Sequence, residues 1–120
     1  MNIACLTLTV AAAAALAANR FVTQAGAYPA AGALAFGVTR TSAAAAGDLV
    51  PVDVQGTAIV ECGDVIAKDA ALMCDATGRV VPVTVGSKFP LCRAMEAGAG
   101  AGAFIEVLLI PNAGLVSPAA

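Results

Sequence analysis

The chain has 120 residues, which suits a single domain, and no break in composition marks a second one. Six basic and eight acidic residues give a net charge of −2 without a run of either sign, which argues against the basic face of a nucleic-acid-binding protein. Hydrophobic residues make up 60% of the chain and charged residues 12%, so the composition predicts an assembly component that buries surface against other subunits.

The first part of the chain predicts short strands separated by turns. Leu6 to Val10 (LTLTV) alternates apolar residues with threonine, which is typical of a strand, whereas the Ala-rich stretch 11–18 is predicted to be irregular or extended. Asn19 to Thr23 is predicted to be a second strand, followed by turn-forming residues at 24–32. A third short strand is expected within Leu34 to Thr41.

The first 18 residues also resemble a secretory signal, because an apolar stretch is followed by Ala15-Leu16-Ala17 as a nominal cleavage site. No Lys or Arg precedes that stretch, and Leu6 to Val10 has the two-residue period of a strand, so we expect the segment to be retained. The stretch is too short and too rich in alanine to predict a transmembrane span. An exported or periplasmic small β-rich binding protein with an N-terminal signal segment is the alternative interpretation.

Between Gly47 and Pro82, short β-branched runs are interrupted every few residues by Gly, Asp or Pro, a pattern that predicts hairpins. Leu49 to Val54 and Thr57 to Cys62 are predicted to pair through a tight turn at Gln55-Gly56, with the glycine supplying a positive φ. Pro51 has no N–H to donate to a ladder, which predicts that its strand lies at a sheet edge or has that amide position facing outward.

Two further hairpins are predicted after this pair of strands. Each has a Gly-containing connection of the length that joins antiparallel neighbours. They are Leu72 to Asp75 with Arg79 to Val83 through 76–78, and Leu91 to Glu96 with Phe104 to Ile110 through 97–103.

The four cysteines, Cys5, Cys62, Cys74 and Cys92, form no Cys-x-x-Cys pair, and the chain has no histidine. A zinc site would have to be assembled from isolated cysteines, so we predict no metal. Their even number permits two disulfides, but free buried thiols fit the apolar strands better, because cysteine then behaves as a small hydrophobic residue.

Other side chains with catalytic or ligand-binding potential also have a structural interpretation. The acidic residues cluster in the middle of the chain, at Asp48, Asp53, Glu61, Asp64, Asp69 and Asp75. Their spacing matches no calcium loop, and turn capping accounts for Asp48, Asp64 and Asp75. The run GAGAG at 98–102 precedes a predicted strand and not the helix that follows a phosphate-binding loop. Without an imidazole base, the sequence predicts no catalytic, cofactor-binding or metal site and no small-molecule substrate, so we expect no enzyme.

These elements together predict the all-β fold class, as a small single-domain β-barrel or β-sandwich of short hairpins with an extended N-terminal arm. We expect the arm to cover residues 1–14, the β-rich domain 15–112 and a C-terminal tail 113–120.

The order of several segments resembles a known family. They are ALAANRFVT (15–23), GVTRT (37–41), AGDLVPVDVQGTAIVECG (46–63), ALMCDATGRVVP (71–82) and RAMEAGAGAGAFIEVLLIPN (93–112). Each is weakly specific alone, but their order and spacing are together similar to those of the capsid cement or head decoration proteins of tailed phages, formerly a domain of unknown function. The resemblance covers most of the chain and carries no catalytic motif.

This resemblance implies a structural virion protein that binds the outer surface of an icosahedral phage head. It implies that the major capsid protein is the partner, that neighbouring capsid subunits are bridged and stabilised, and that the protein associates with itself as a homotrimer, with a dimer as the alternative. It also implies synthesis in the host cytoplasm, with no nucleic acid and no membrane as partners.

Two strands are predicted to supply contacts with the capsid or with another protomer. At the N-terminus, Leu6, Leu8 and Val10 are expected to set the register of a strand that adds to a sheet edge of a capsid subunit or a sister protomer. Near the C-terminus, Phe104, Ile105 and Val107 are candidates for protomer contacts, although their strand also fits a purely internal core strand.

Overall fold

The computed structural model describes residues 3–83 and 90–110, and every helix or strand element within these ranges is a β-strand. The strands are β1 (Ala4–Ala11), β2 (Phe21–Val22), β3 (Gly37–Thr39), β4 (Leu49–Glu61), β5 (Ala71–Cys74), β6 (Val80–Pro82), β7 (Cys92–Ala94) and β8 (Phe104–Leu109). The predicted tail over 113–120 lies outside the described residues.

All strand pairs are antiparallel and belong to one sheet in the order β2-β3-β4-β8-β7-β5-β6, with β1 also paired to β4. The sheet curls into a half-barrel and forms one compact domain. The prediction of an all-β, single-domain fold is therefore confirmed. None of the described residues forms a helix with the length and apolarity needed to cross a bilayer.

The longest strand, β4, organises the sheet because it has different partners at its two ends. Its first part, Leu49 to Gly56, pairs with β1, and β3 lies on the opposite side at Val52 and Asp53. Its second part, Thr57 to Glu61, pairs with β8. β1 and β8 therefore follow one another along β4 and separate from each other where the two parts meet.

The tight turn predicted at Gln55-Gly56 is wrong, because β4 runs through these residues without reversing. Gly56 has φ +94°, as predicted, but it lies beside β1, where the pairing register shifts at Leu6. A Cβ atom at Gly56 would overlap the carbonyl oxygen of Ile3 and lie 2.8 Å from the amide nitrogen of Cys5. Glycine is thus required by an irregularity in the ladder and by close backbone approach, which are the other reasons for glycine inside a strand.

Of the two alternatives predicted for Pro51, the edge strand is wrong, since β4 has partners on both sides. The carbonyl of Pro51 accepts a hydrogen bond from the Arg40 amide at 3.0 Å, just after β3 ends at Thr39. N–H and C=O of one strand residue point to the same side, so the missing donor of Pro51 faces the end of β3. A proline is tolerated inside a central strand because the ladder stops at that point.

The two later hairpins are confirmed. β5 pairs with β6 through a turn in which Gly78 has φ +79°, and β7 pairs with β8 around Gly102 with φ +90°.

The strands β2 and β3 are shorter than predicted but lie within the predicted segments. The Ala-rich stretch 11–18 is irregular after β1 ends, and it has one isolated bridge, from Leu16 to Ala43.

The core has two clusters that lie at the two ends of β4. The larger contains residues of β5 to β8 with Ala58, Val60 and Cys62. The smaller joins the end of β1 to the start of β4 through Val10, Val50 and Val52, with loop residues packed around them. The segment predicted to be an arm, residues 1–14, thus contains β1, which pairs with β4 of its own chain.

Candidate functional site

A groove opens on the inner face of the curled sheet where β1 and β8 separate from each other along β4. Its volume is about 730 Å³. The lining is mostly apolar and comes from β1, β4, β8 and the loop before β3, including Leu6, Leu8, Leu34, Phe36, Val54, Leu109 and Ile110. A groove of this composition accepts apolar side chains and offers few polar groups for catalysis.

The strand β1 places alternate side chains along this groove. Val10 is buried (6% exposed) beside Val50, whereas Leu6 and Leu8 are 42% and 39% exposed. Of the three N-terminal residues predicted to form an interface, two thus remain accessible at the groove and the third belongs to the core.

A second apolar surface lies on the outer face of β8. Phe104 and Leu108 are 55% and 45% exposed, and Met95, whose amide donates to the Glu106 carbonyl at 3.0 Å, is 43% exposed. Ile59 lies opposite Glu106 on β4 and is half-buried. Directly opposite residues share a face, so these side chains form one outer patch beside Glu106.

The remaining two predicted interface residues, Ile105 and Val107, lie on the inner face and are 2% and 0% exposed. Their contacts within this chain are core contacts, as the alternative interpretation of this strand expects. Strict alternation along FIEVLL separates the two faces, so the sequence contained the signal that places Leu108 with Phe104 and apart from Ile105. No comparable signal pointed to Met95, which reaches the patch through the pairing of β7 with β8.

A buried carboxylate holds β1 to the rest of the sheet. Asp53 is 1% exposed and accepts a hydrogen bond from the Thr7 hydroxyl at 2.9 Å. The Arg40 Nε lies 2.9 Å from Asp53 Oδ1 and 3.1 Å from Oδ2, and the Arg40 side chain is 43% exposed. The carboxylate is thus satisfied by side chains that lie on both sides of β4, which fits a structural role.

Glu61 has a similar role near the other end of β4. Arg20 Nη2 lies 3.1 Å from its Oε1, and Arg79 Nη1 lies 3.5 Å from its Oε2. Arg20 also donates to the Thr77 carbonyl and lies over the ring of Tyr28. These contacts connect the β5–β6 turn to β2 and β4.

The turn-capping prediction is confirmed for three acidic residues. Asp48 accepts from the amides of Ala44 and Ala45 at 3.0 and 3.1 Å, and Asp64 accepts from the next amide, that of Val65. Asp75 accepts from the Thr77 amide and hydroxyl and from the Arg79 amide. Burial alone would raise the pKa of Asp75, but these hydrogen bonds and the Arg79 charge outweigh it and hold that pKa below its ordinary value.

The thiols are free in the structure. Cys5 is exposed on β1, and Cys62, Cys74 and Cys92 are buried in the larger core cluster. Burial raises the pKa of each of these three thiols, so they stay protonated and unreactive at neutral pH. Within residues 3–83 and 90–110, no group of three or more metal-ligating side chains comes together.

The glycine-rich loop between β7 and β8 is a connection between strands. Gly98 packs against Cys62, where an added Cβ would lie 2.7 Å from the sulfur. Gly100 and Gly102 have no heavy atom near their Cβ positions, so the loop tip faces open space. A strand, β8, follows it, as the sequence predicts, and the loop lacks the helix N-terminus of a phosphate site.

Comparison with known proteins matches this chain to a family model and to solved structures. A family model described as phage cement protein matches residues 2–109. The crystal structure of the N base of head fiber gp8.5 of bacteriophage phi29 matches with a TM-score of 0.69 over 88% of this chain and 93% of that chain, at 20% sequence identity. No match was found among curated proteins. At that identity the structural likeness shows a shared fold.

Proposed function

This chain belongs to the phage cement protein family, and on that premise we propose that it binds the outer surface of an icosahedral phage head and stabilises it by bridging major capsid protein subunits. In this proposal the major capsid protein is the partner and the assembled virion is the location, after synthesis in the host cytoplasm. Nucleic acid, membrane and small-molecule substrates have no part in it.

One observation carries the bridging proposal: the chain has apolar surfaces on both faces of its sheet. The inner groove exposes Leu6 and Leu8, and the outer patch exposes Met95, Phe104 and Leu108. A single apolar surface serves one contact, whereas two surfaces on opposite faces allow one chain to touch two neighbours at once.

The six predicted interface residues fall into two groups, those exposed for contact with a partner and those buried beneath the two strands. We assign contacts to the exposed Leu6, Leu8 and Phe104. The buried Val10, Ile105 and Val107 hold the two strands in place. The division into an N-terminal arm over 1–14, a decoration domain over 15–112 and a tail over 113–120 is kept as part of the proposal.

Self-association as a homotrimer, or alternatively as a dimer, also belongs to the proposal. The support is the composition, with 60% hydrophobic residues and 12% charged residues, together with the family membership. A small domain with this much exposed apolar surface gains stability when that surface is covered by other subunits.

The alternative function, an exported binding protein, would require this chain to lose one of its strands. Cleavage after Ala17 would remove β1, which pairs with β4 from Ala4 to Ala11 and covers Val50 and Val52 through Val10. The intact mass of the native protein tests it directly, because loss of residues 1–17 is required by export and excluded by the cement proposal.

Co-sedimentation with expanded, undecorated heads tests the proposed function. We expect the wild-type chain to pellet with heads and to saturate, and the charged variants Phe104→Asp and Leu108→Asp to lose at least tenfold in affinity, because a charge in a buried apolar contact is costly. Leu49→Asp is the matched control, since Leu49 is 73% exposed and lies at the far end of β4 from the outer patch. Wild-type protein that stays in the supernatant at all concentrations would refute the proposal.

A further inference from the structure

The outer patch on β8 continues into a pocket beside the end of β3. Ile59, which belongs to the patch, also lines this pocket, together with Arg40, Thr41 and Asp53. The pocket has a volume of about 400 Å³. The apolar patch and the pocket therefore form one continuous surface, and Arg40 lies at its border.

Arg40 has hydrogen-bond donors that its own fold leaves unused. Its Nε donates to the buried carboxylate of Asp53 and lies 2.9 Å from Oδ1 and 3.1 Å from Oδ2. Within residues 3–83 and 90–110, the two terminal nitrogens of Arg40 form no hydrogen bond, and 43% of the side chain is exposed. A guanidinium group binds a carboxylate through parallel N–H donors, so this end of Arg40 fits a carboxylate from a partner.

Glu96 is the acidic residue that matches this unused end. It is exposed, and among the residues that the structure describes it has no hydrogen bond or ion pair. The other acidic residues each interact with another group of the chain; they are Asp48, Asp53, Glu61, Asp64, Asp69, Asp75 and Glu106. A carboxylate that its own chain leaves in solvent is available to a neighbouring molecule.

The backbone on both sides of Glu96 is held in place. The Met95 amide donates to β8 at 3.0 Å, and Gly98 and Ile66 exchange two backbone hydrogen bonds. In the sheet order β3-β4-β8-β7, Arg40 directly follows β3, whereas Glu96 comes shortly after β7. The two groups of opposite charge therefore border the outer patch from opposite sides.

We propose that the outer patch is a contact between copies of this chain, in which Glu96 of one copy binds the terminal nitrogens of Arg40 in the next copy. The apolar side chains beside Glu96 then pack over the pocket that Ile59 lines. The inference rests on the self-association in the proposed function and names the surface that is used. The inner groove remains for the capsid.

A second copy is the occupant because the two borders of this surface are complementary in charge. Arg40 and Glu96 are different groups, so the contact is head-to-tail, and an open pair of copies leaves one of each unused. A closed ring uses both groups in every copy, and a ring of three agrees with the homotrimer of the proposed function. The ring also covers Phe104 and Leu108, which are 55% and 45% exposed in the single chain. An apolar centre with charged groups at its rim is the usual arrangement of a protein interface.

Carbodiimide cross-linking of the purified full-length protein tests the ion pair. Arg40→Lys keeps the positive charge beside Asp53 and supplies an amine, which the reagent joins to a carboxylate in direct contact, with loss of water. We expect covalent dimers and trimers, no larger species, and a cross-linked peptide that connects position 40 of one copy to Glu96 of another. Mixing isotope-labelled with unlabelled protein identifies links between copies. Arg40→Lys combined with Glu96→Gln is the control, and we expect that peptide to be absent from it.

Sedimentation of variants with an unchanged Arg40 gives a second measurement. Glu96→Gln removes a charge that has no partner within the described part of its own chain, so the fold is preserved. We expect the concentration at which half of the protein is assembled to rise about fivefold, because one interfacial ion pair at a rim contributes about 1 kcal/mol. Asp64→Asn is the matched control, since it removes one negative charge from an exposed turn, and we expect its assembly to equal that of the wild type.

The outcomes separate this contact from the self-association on which it rests. A wild-type trimer, with no cross-link between position 40 and Glu96 and with equal assembly of Glu96→Gln, would overturn the contact and leave self-association intact. A cross-linked series that ends at two copies would overturn the ring. A wild-type chain that stays monomeric at all concentrations would refute self-association itself and this contact with it. Binding to heads is measured separately by co-sedimentation.

Discussion

The two ends of β4 are built differently. The second part pairs with β8 and is covered by a cluster of fifteen buried residues, whereas the first part pairs with β1 over a cluster of seven and adds the buried carboxylate of Asp53. Strands β5 to β8 join neighbours along the chain or in short hairpins, but β1 reaches β4 across some forty residues that include two short strands.

This difference shows that the two ends depend on different interactions. The β5–β8 end has enough apolar contact to define its own register, since hydrophobic burial scales with the area removed from water. The β1 end has less apolar burial and relies on close backbone approach at Gly56 and on the Thr7–Asp53–Arg40 contacts. Substitutions at these positions therefore separate the two ends experimentally.

The largest effect is expected at the junction, from Gly56→Ala. The substitution places a Cβ against the Ile3 carbonyl at a residue with φ +94°, so β1 must move or the backbone must change. We expect the free energy of unfolding to fall by about 3 kcal/mol in urea titration, since strained positions of this kind cost a few kcal/mol. Gly100→Ala, where a Cβ meets no atom within 4 Å, should change it by less than about 0.5 kcal/mol.

The second-largest loss of stability is expected from a substitution that affects the β1 end alone. Asp53→Ala removes the acceptor of Thr7 and the partner of Arg40, and we expect a loss of about 2 kcal/mol, moderated because Arg40 is partly exposed. Hydrogen exchange should accelerate at the amides of β1 more than at those of β8. Asp64→Ala is the control, because its carboxylate accepts a hydrogen bond from the next amide and lies in an exposed turn. Equal acceleration in both strands would show that the two ends unfold together.

A smaller loss of stability is expected at the β5–β8 end, in the turn between β5 and β6. Asp75→Ala removes the acceptor of the Thr77 and Arg79 amides, at a cost of about 1 kcal/mol. The folded pKa of Asp75 is lowered, so its contribution is fully present above the unfolded aspartate pKa of about 4 and is lost as pH falls through the lower folded value. Urea titrations from pH 6 down to pH 2 should show a shallower loss of stability below about pH 4 in the variant than in the wild type. Parallel curves would contradict the role of this carboxylate.

The last prediction distinguishes the β1 end from the β5–β8 end by the reactivity of their thiols, and it involves the smallest change in stability. Cys5 is exposed at the β1 end, whereas the other three thiols are buried at the β5–β8 end with raised pKa values. A maleimide should add once to the native chain and four times after denaturation, as read from the intact mass. Cys5→Ser should abolish the native adduct and change the free energy of unfolding by less than about 0.5 kcal/mol. Native labelling at Cys92 would indicate that the larger cluster opens readily.

Local sequence signals predicted the β5–β8 end well. The turn at Asp75 to Gly78 and the hairpin around 97–103 depend on residues within a few positions of each other, so alternation and glycine placement identify them. A chain without histidine also offers few candidate catalytic or metal-ligating side chains, which is why the sequence predicted none.

The β1 end could not be predicted in the same way. Gln55-Gly56 has the residue types of a tight turn, and whether a glycine with positive φ forms a turn or an irregularity inside a strand is decided by β1, about fifty residues earlier in the chain. The edge position inferred from Pro51 failed for a related reason, since the place where β3 ends is a property of the assembled sheet. Exposure of Leu6 and Leu8 likewise follows from where β8 leaves β4.

The continuity of β4 also determines how the protein responds to force. β4 is one uninterrupted strand of thirteen residues, so covalent bonds connect the region beside β1 to the region beside β8. Tension applied along this strand loads the hydrogen bonds of both ladders in shear, all at once, and not one after another as in unzipping. We therefore expect a domain pulled along β4 to yield abruptly and not gradually.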